Sequence, residues 1–436
     1  MNLRKKCKTL IGILASLLLS SCDTFQEKDP LPGTRESIIV LDEALQPDPV
    51  LLHQKIIIGS SVKNKDWPQV GGSASHVMPP LALGQDLKVV FQKNIGLGSN
   101  EGQKLISGPI VVNGCVYAMD AGGVVNAIDV AKQEILWTQT TATENEPADA
   151  LGGGLAFEEG MLYATTSFGE VIALNPKDGK IIWRKSIGTP IRSAPTVKDG
   201  RLYTVTINNE LHTLNTKTGE SLWMHSGITE PAILLGGSNP AVTSNAVVVT
   251  YSSGEIYALH VENGHPLWSD ILTSALRVDS VTSIPHIRAR PIIDGNFVYV
   301  ISHGGRMTAI DMQTGIRAWQ KDVGGTRTPA VIGDSIFVLT NQGDVMCLKK
   351  DTGQVHWAAA LPKLTEDKEP IFWAGPVVAG DALLFTSSKG EVKFLSPQDG
   401  KTLKSLKFEG SSYLSAVIAD STLFVLTDNA DLIAWR

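Results

Sequence analysis

The chain has 436 residues, 43% of them hydrophobic and 19% charged, with 41 glycines, 22 prolines and nine tryptophans. That is enough apolar sequence for a sizeable core, and it excludes a low-complexity or disordered chain. The formal net charge of −6, with basic residues concentrated in the first eight positions, excludes a general nucleic-acid binder.

In chain order, the first element is an export signal over residues 1–21. Arg4, Lys5, Lys6 and Lys8 form a positive start, and the apolar stretch from Leu10 to Leu19 is too short for a stable membrane span. Leu19-Ser20-Ser21-Cys22 resembles a bacterial lipobox, which implies that Cys22 becomes the lipidated first residue of the mature protein. Cleavage there leaves 34 Lys and Arg against 44 Asp and Glu, a net charge of −10. Asp23, directly after the cysteine, resembles an inner-membrane retention signal, so both inner and outer membranes stay open as destinations. Residues 22–66 are acidic and interrupted by Pro30, Pro32, Pro47 and Pro49, which reads as a flexible tether with two short apolar runs, Ile38 to Leu41 and Ile56 to Ile58.

From residue 67 onward one unit recurs, G-x-V-x-A-L-D/N-x-x-T/D-G-x-x-x-W. The clearest copy runs from Gly169 through Ala173, Asn175 and Gly179 to Trp183. Other copies start at Gly123, Asn209, Gly254, Gly305, Gly343 and Gly390. The last of them carries Lys404 in place of tryptophan. The starts are 46, 40, 45, 51, 38 and 47 residues apart, a period that belongs to four-stranded propeller blades. The leading Gly or Asn suits a hairpin turn, and V-x-A suits a strand. The Asp/Asn, Thr and Gly build a second turn into the strand that carries tryptophan. The small alanine is read as allowing close approach of sheets, and the tryptophan as packing between blades.

Two fragments remain. Ala430-Asp-Leu-Ile-Ala434-Trp435 is a unit cut off before its second turn, and Leu87 to Gly96, with Phe91 at the tryptophan position, supplies the missing outer strand. The expected fold is therefore all-β: an eight-bladed β-propeller of four-stranded antiparallel blades over 67–436, closed by pairing the N- and C-terminal strands. Cys115 and Cys347 then fall in distant blades and read as small buried side chains with no disulfide between them.

The repeat resembles the PQQ-like β-propeller repeat. With the lipobox, the acidic tether and Trp67-Pro68-Gln69-Val70-Gly71-Gly72, the chain resembles the outer-membrane assembly factor BamB family. The resemblance implies a lipid-anchored protein on the periplasmic face of the outer membrane, a scaffold of the β-barrel assembly machine. It implies binding to POTRA domains of the central barrel subunit and assistance to unfolded outer-membrane protein clients. In that family the contact loops lie between consecutive blades, one with Leu-x-Leu-Arg and the next with paired aspartates. Here Ala232 to Ser238 matches the first in its apolar residues, with Leu235 where arginine is expected. The second, from Thr273 to Arg290, has Asp279 but places His286, Arg288 and Arg290 near the expected aspartates. The partner-binding residues implied are Ile233, Leu234, Leu235, Gly236, Asp279, His286, Arg288 and Arg290. The apolar run Ile233 to Leu235 fits either an exposed interface or burial in an inter-blade corner.

PQQ-dependent dehydrogenases share the repeat, so a quinone oxidoreductase is one alternative and an unrelated cell-envelope scaffold another. The sequence has no adjacent cysteine pair, no metal-ligand spacing among its nine histidines, and no P-loop, dinucleotide fingerprint or nucleophile elbow. Gly152-Gly153-Gly154 precedes a strand. Asp120, Asp311 and Asp351 lie in or beside repeat turns, where capping accounts for them. The expectation is no enzyme, no catalytic residue, no cofactor and no metal.

Overall fold

The computed structural model describes residues 45–51, 54–143, 152–272 and 284–436. The expected signal segment, Cys22, Asp23 and Asp279 lie outside the described residues. Thirty-two strands form eight separate four-stranded antiparallel sheets. Seven sheets take four consecutive strands each, over 110–140, 153–186, 196–226, 241–271, 292–321, 330–360 and 373–407, and these are numbered blades 1 to 7. Blade 8 joins three strands of the C-terminus to Val89–Asn94, which pairs antiparallel with Asp431–Trp435. Phe91 stands opposite Ala434, so the split blade sits in the register the sequence predicts. The fold is an eight-bladed β-propeller closed by its two ends.

Cross-strand rows explain the unit. In blade 1, Ala127 of the third strand faces Tyr117 of the second and Trp137 of the outer strand. Blades 2 and 5 repeat the row with Tyr163, Ala173 and Trp183, and with Tyr299, Ala309 and Trp319. The paired ring centroids are 6.0 to 6.2 Å apart, the spacing of favourable aromatic pairs. A small residue is needed because two rings meet over it. Alanine therefore acts within its own sheet, in addition to the close sheet approach expected from the sequence. Cys347 fills this slot in blade 6, between Phe337 and Trp357; it is fully buried, and burial pushes its thiol up to about 12.

Each indole also reaches the next blade. Trp137, Trp183, Trp223, Trp268, Trp319 and Trp357 donate Nε1–H to the carbonyls of Pro176, Thr216, Val261, Met312, Lys350 and Pro397, at 2.8 to 3.0 Å. Each acceptor lies three residues before a turn glycine of the following blade, and that glycine packs on the same indole. At the two junctions beside the split blade both partners change. Phe91 replaces tryptophan where Gln133, at φ +61°, replaces glycine, and Gln133 Nε2 donates to the Val90 carbonyl. In blade 7, Phe394 occupies the small-residue slot opposite Lys404. The lysine ammonium lies 4.9 Å from that ring's centroid and donates to the Gln85 carbonyl.

The segment from Val62 to Leu81 runs as a strap along the inner strands. Asn64 bonds Ile418 and Asp420 of blade 8. Trp67 exchanges two backbone bonds with Val111, and Pro68 accepts from Phe157. The Gln69 amide bonds both backbone groups of Val197. Ala74 and Ser75 accept from Val242 and Ile293, His76 bonds the Pro291 carbonyl at 2.7 Å, and Leu81 pairs with blade 7. Inner-edge backbone groups that a sheet would leave unpaired thus find partners in the strap. Earlier in the chain, Leu51 and Ile56 are buried, and Gln398 bonds both backbone groups of Ile56.

Trp319→Ala is expected to cost about 3–5 kcal/mol in urea unfolding, the usual price of emptying a buried tryptophan site. Gly353, at φ +69°, would place a Cβ 2.7 Å from Trp319, whereas Gly295, at φ +57°, has nothing within 4 Å. Gly295→Ala should therefore lose only the left-handed backbone cost of about 1–2 kcal/mol, and Gly353→Ala clearly more.

Candidate functional site: channel mouth and inter-blade loops

Proline precedes the inner strand of five blades, at Pro109, Pro195, Pro240, Pro291 and Pro329. The residues two to four positions before these strands converge on the central channel, where they line a cavity of about 170 Å³. Strap residues Trp67, Gly71, His76 and Met78 are among its lining. Arg192, Arg288, Arg290 and Arg327 all reach it, and none of the described lining residues is acidic. None of the four takes part in an ion pair among the described residues. Burial, then the neighbouring arginines, lowers Arg290 to about 10 and Arg327 to about 9; burial lowers Arg288 as well. All three stay charged at neutral pH.

The loops singled out by the sequence border this cavity. Leu234 N–H donates to His286 Nδ1 at 2.9 Å, so the two loops are joined. Ile233 is half-buried and, with His286 and Ile287, lines a small side cavity of about 30 Å³. Leu234 is half-buried, whereas Leu235 is 39% exposed and nearby Ile228 is 59% exposed. Gly236, at φ +92°, leaves room for a guanidinium: a Cβ there would lie 2.9 Å from Arg288 Nε. His286 is buried and Arg288 and Arg290 line the channel cavity, so of the described partner-binding candidates Leu235 is the exposed one. Sequence reasoning missed Arg192, Arg327 and the strap's role; an arginine shortly before the proline of an inner strand was the available signal.

The aspartates near the turns have structural partners. Asp120 accepts from the backbone of Leu97, Gly122 and Val124, Asp311 caps its own turn through Gln313 and Thr314, and exposed Asp351 pairs with Lys349. Among the described residues no group of three or more His, Cys, Asp or Glu could hold a metal ion. No helix among them is long and apolar enough to cross a membrane.

Fold and repeat together define an eight-bladed propeller of the PQQ-like repeat class. The family model described as "Outer membrane protein assembly factor BamB" matches residues 121–359. A relative of that name from Salmonella typhimurium is 30% identical over 343 residues, covering 77% of this chain and 85% of the relative. The chain belongs to the BamB family. The crystal structure of BamB from Moraxella catarrhalis superposes with a TM-score of 0.68 at 17% identity, over 80% of this chain and 99% of that one. Quinohemoprotein alcohol dehydrogenase from Comamonas testosteroni superposes at 0.67 and 13% identity, over 86% and 81%, a likeness of fold alone.

His76 and His286 are held neutral, mainly by burial and then by Arg290 and Arg288 respectively, with pKa values of about 3 and about 4 against an ordinary 6.5. The unfolded chain therefore binds more protons between those limits, and stability must fall as pH drops from about 6.5 towards 4. Unfolding measured across this window should show the loss, and His76→Leu or His286→Leu should each flatten the slope by up to about 1.4 kcal/mol per pH unit.

Proposed function

We propose that the protein is a non-enzymatic scaffold in outer-membrane protein assembly, anchored by lipid at Cys22 to the periplasmic face of the outer membrane. Its partner is the central barrel subunit of the β-barrel assembly machine, engaged through that subunit's POTRA domains, with unfolded outer-membrane protein chains as clients. Family membership carries this reading. Two features of the surface support it: the loops at 232–238 and 284–290 are tied by the Leu234–His286 bond, and apolar Leu235 and Ile228, in and just before the first loop, are 39% and 59% exposed among the described residues. Buried His286 acts as a support for the loop, and Arg288 and Arg290 brace it from the channel side.

The outer strands supply a second kind of surface. Among the described residues no further strand pairs with their outer edges, although Asp48 N–H donates to the Val355 carbonyl in blade 6, and Leu136, Ile182, Leu222, Leu267 and Leu403 are exposed along them. An extended client could add to such an edge by β-augmentation. The chemistry of the channel weighs against an alcohol oxidation there: its described lining offers no carboxylate as general base, and His76 is too weak a base for the task.

A photo-cross-linking residue at position 235 of the full-length protein should capture the central barrel subunit in intact envelopes. Leu235→Asp should reduce co-purification of that subunit by about tenfold, as expected for losing an apolar contact of about 1.4 kcal/mol at an interface. Capture of an unrelated protein alone, with co-purification unchanged by the substitution, would remove the proposal.

A further inference from the structure

The channel mouth holds more positive charge than the described residues balance. Arg288, Arg290 and Arg327 act on one another electrostatically, Arg192 joins them on the wall, and no described lining residue is acidic. Unpaired charge removed from water is costly, and in a folded protein it is normally neutralised by a partner group or a bound ion. The polar atoms here are also unsatisfied. Among the described residues, Arg290 Nε, Ser107 Oγ and Ser193 Oγ are cut off from solvent without a hydrogen-bond partner, although their residues all line the cavity; neutral His76 donates Nδ1–H to the Pro291 carbonyl, so its unpartnered Nε2 is an acceptor and no ligand for an anion. Ser193 and His76 are 5% and 7% exposed, so water at the surface does not serve them. Arg327 spends one donor, Nη1, on the Tyr413 carbonyl at 3.0 Å.

The donors belong to separate blades: Ser107 leads into blade 1, Arg192 and Ser193 into blade 3, Arg288 and Arg290 into blade 5, and Arg327 into blade 6. Guanidinium forks arriving from different blades suit a ligand with several oxygens spread around a small centre. The cavity of about 170 Å³ is too small for a macromolecule and roomy for an ion, and strap residues help to line it. Three to four cations call for an anion carrying two or more charges.

We propose that the central channel mouth binds a small multivalent oxyanion, either phosphate or an organic polycarboxylate, held by Arg288, Arg290 and Arg327 with Arg192, Ser107 and Ser193 completing its shell. Bound there, the anion joins blades 1, 3, 5 and 6 across the channel and removes the mutual repulsion of the arginines. The site is independent of whether the neighbouring loops bind a partner.

The test uses full-length protein at neutral pH, titrated with inorganic phosphate, citrate or chloride at matched ionic strength. Thermal unfolding should rise saturably with phosphate or citrate and not with chloride, and the anion effective at the lower concentration identifies the ligand class. Arg327→Gln and Arg290→Gln should each weaken that response by about tenfold or more, while raising or preserving the melting temperature in chloride alone. A variant-free readout runs in parallel: the effective anion should protect Arg290 and Arg327 of the wild-type protein from phenylglyoxal modification, followed by peptide mass spectrometry. The proposal is overturned if neither anion stabilises or protects beyond chloride at about 10 mM, or if folded glutamine variants respond as the wild type does.

Discussion

The contact between each indole and the turn of the following blade is the constraint on which the ring depends. A four-stranded blade cannot bury both faces alone, so its stability comes from neighbours. The tryptophan settles the spacing of those neighbours twice over. Its ring needs a glycine-sized gap, and its N–H needs a carbonyl three residues before that glycine. Because ring face and N–H are fixed relative to each other, one side chain sets both the distance between blades and their relative rotation. The cross-strand row then holds the indole in place: in blades 1, 2, 3, 5 and 6 a second-strand aromatic leans on it over an alanine, threonine or cysteine in the third strand, and in blade 4 Val248 takes the aromatic's position.

The exceptions follow the same rule, since partners change together. Where glycine is replaced by Gln133, tryptophan is replaced by Phe91, which has no N–H to place, and the glutamine amide bonds the opposite backbone instead. Where blade 8 begins with a split and has no turn to offer, Lys404 takes the tryptophan position and its aromatic partner moves into the small slot as Phe394. Split-blade closure thus removes the tryptophan contact from both flanking junctions and replaces it with polar bonds to backbone carbonyls.

Most of this architecture was legible in the sequence because it is local. Turn glycines, the alanine and the tryptophan recur at fixed short spacings, so blade number, the register of the split blade and the bland role of Cys347 could all be read from residue order. The channel was not legible, since its members are brought together only by ring closure. Residues 67–81, 192, 288, 290 and 327 have no common spacing, and Arg288 and Arg290 stand out only because the family resemblance implies a partner-binding loop there. Their inward course follows from the prolines that start the inner strands, a signal that acquires meaning once those strands are known to line a channel. The strap was equally hidden: Trp67-Pro68-Gln69 reads as an opening motif, yet its function is to supply hydrogen bonds to strands as far away in sequence as Val197 and Val378.

The strap lines the hub together with the residues that lead into the inner strands. Gly236 and Arg288 line that cavity and also belong to the two loops joined by the Leu234–His286 bond. The hub and the loop surface thus share residues, so a substitution at Gly236 or Arg288 would register at both.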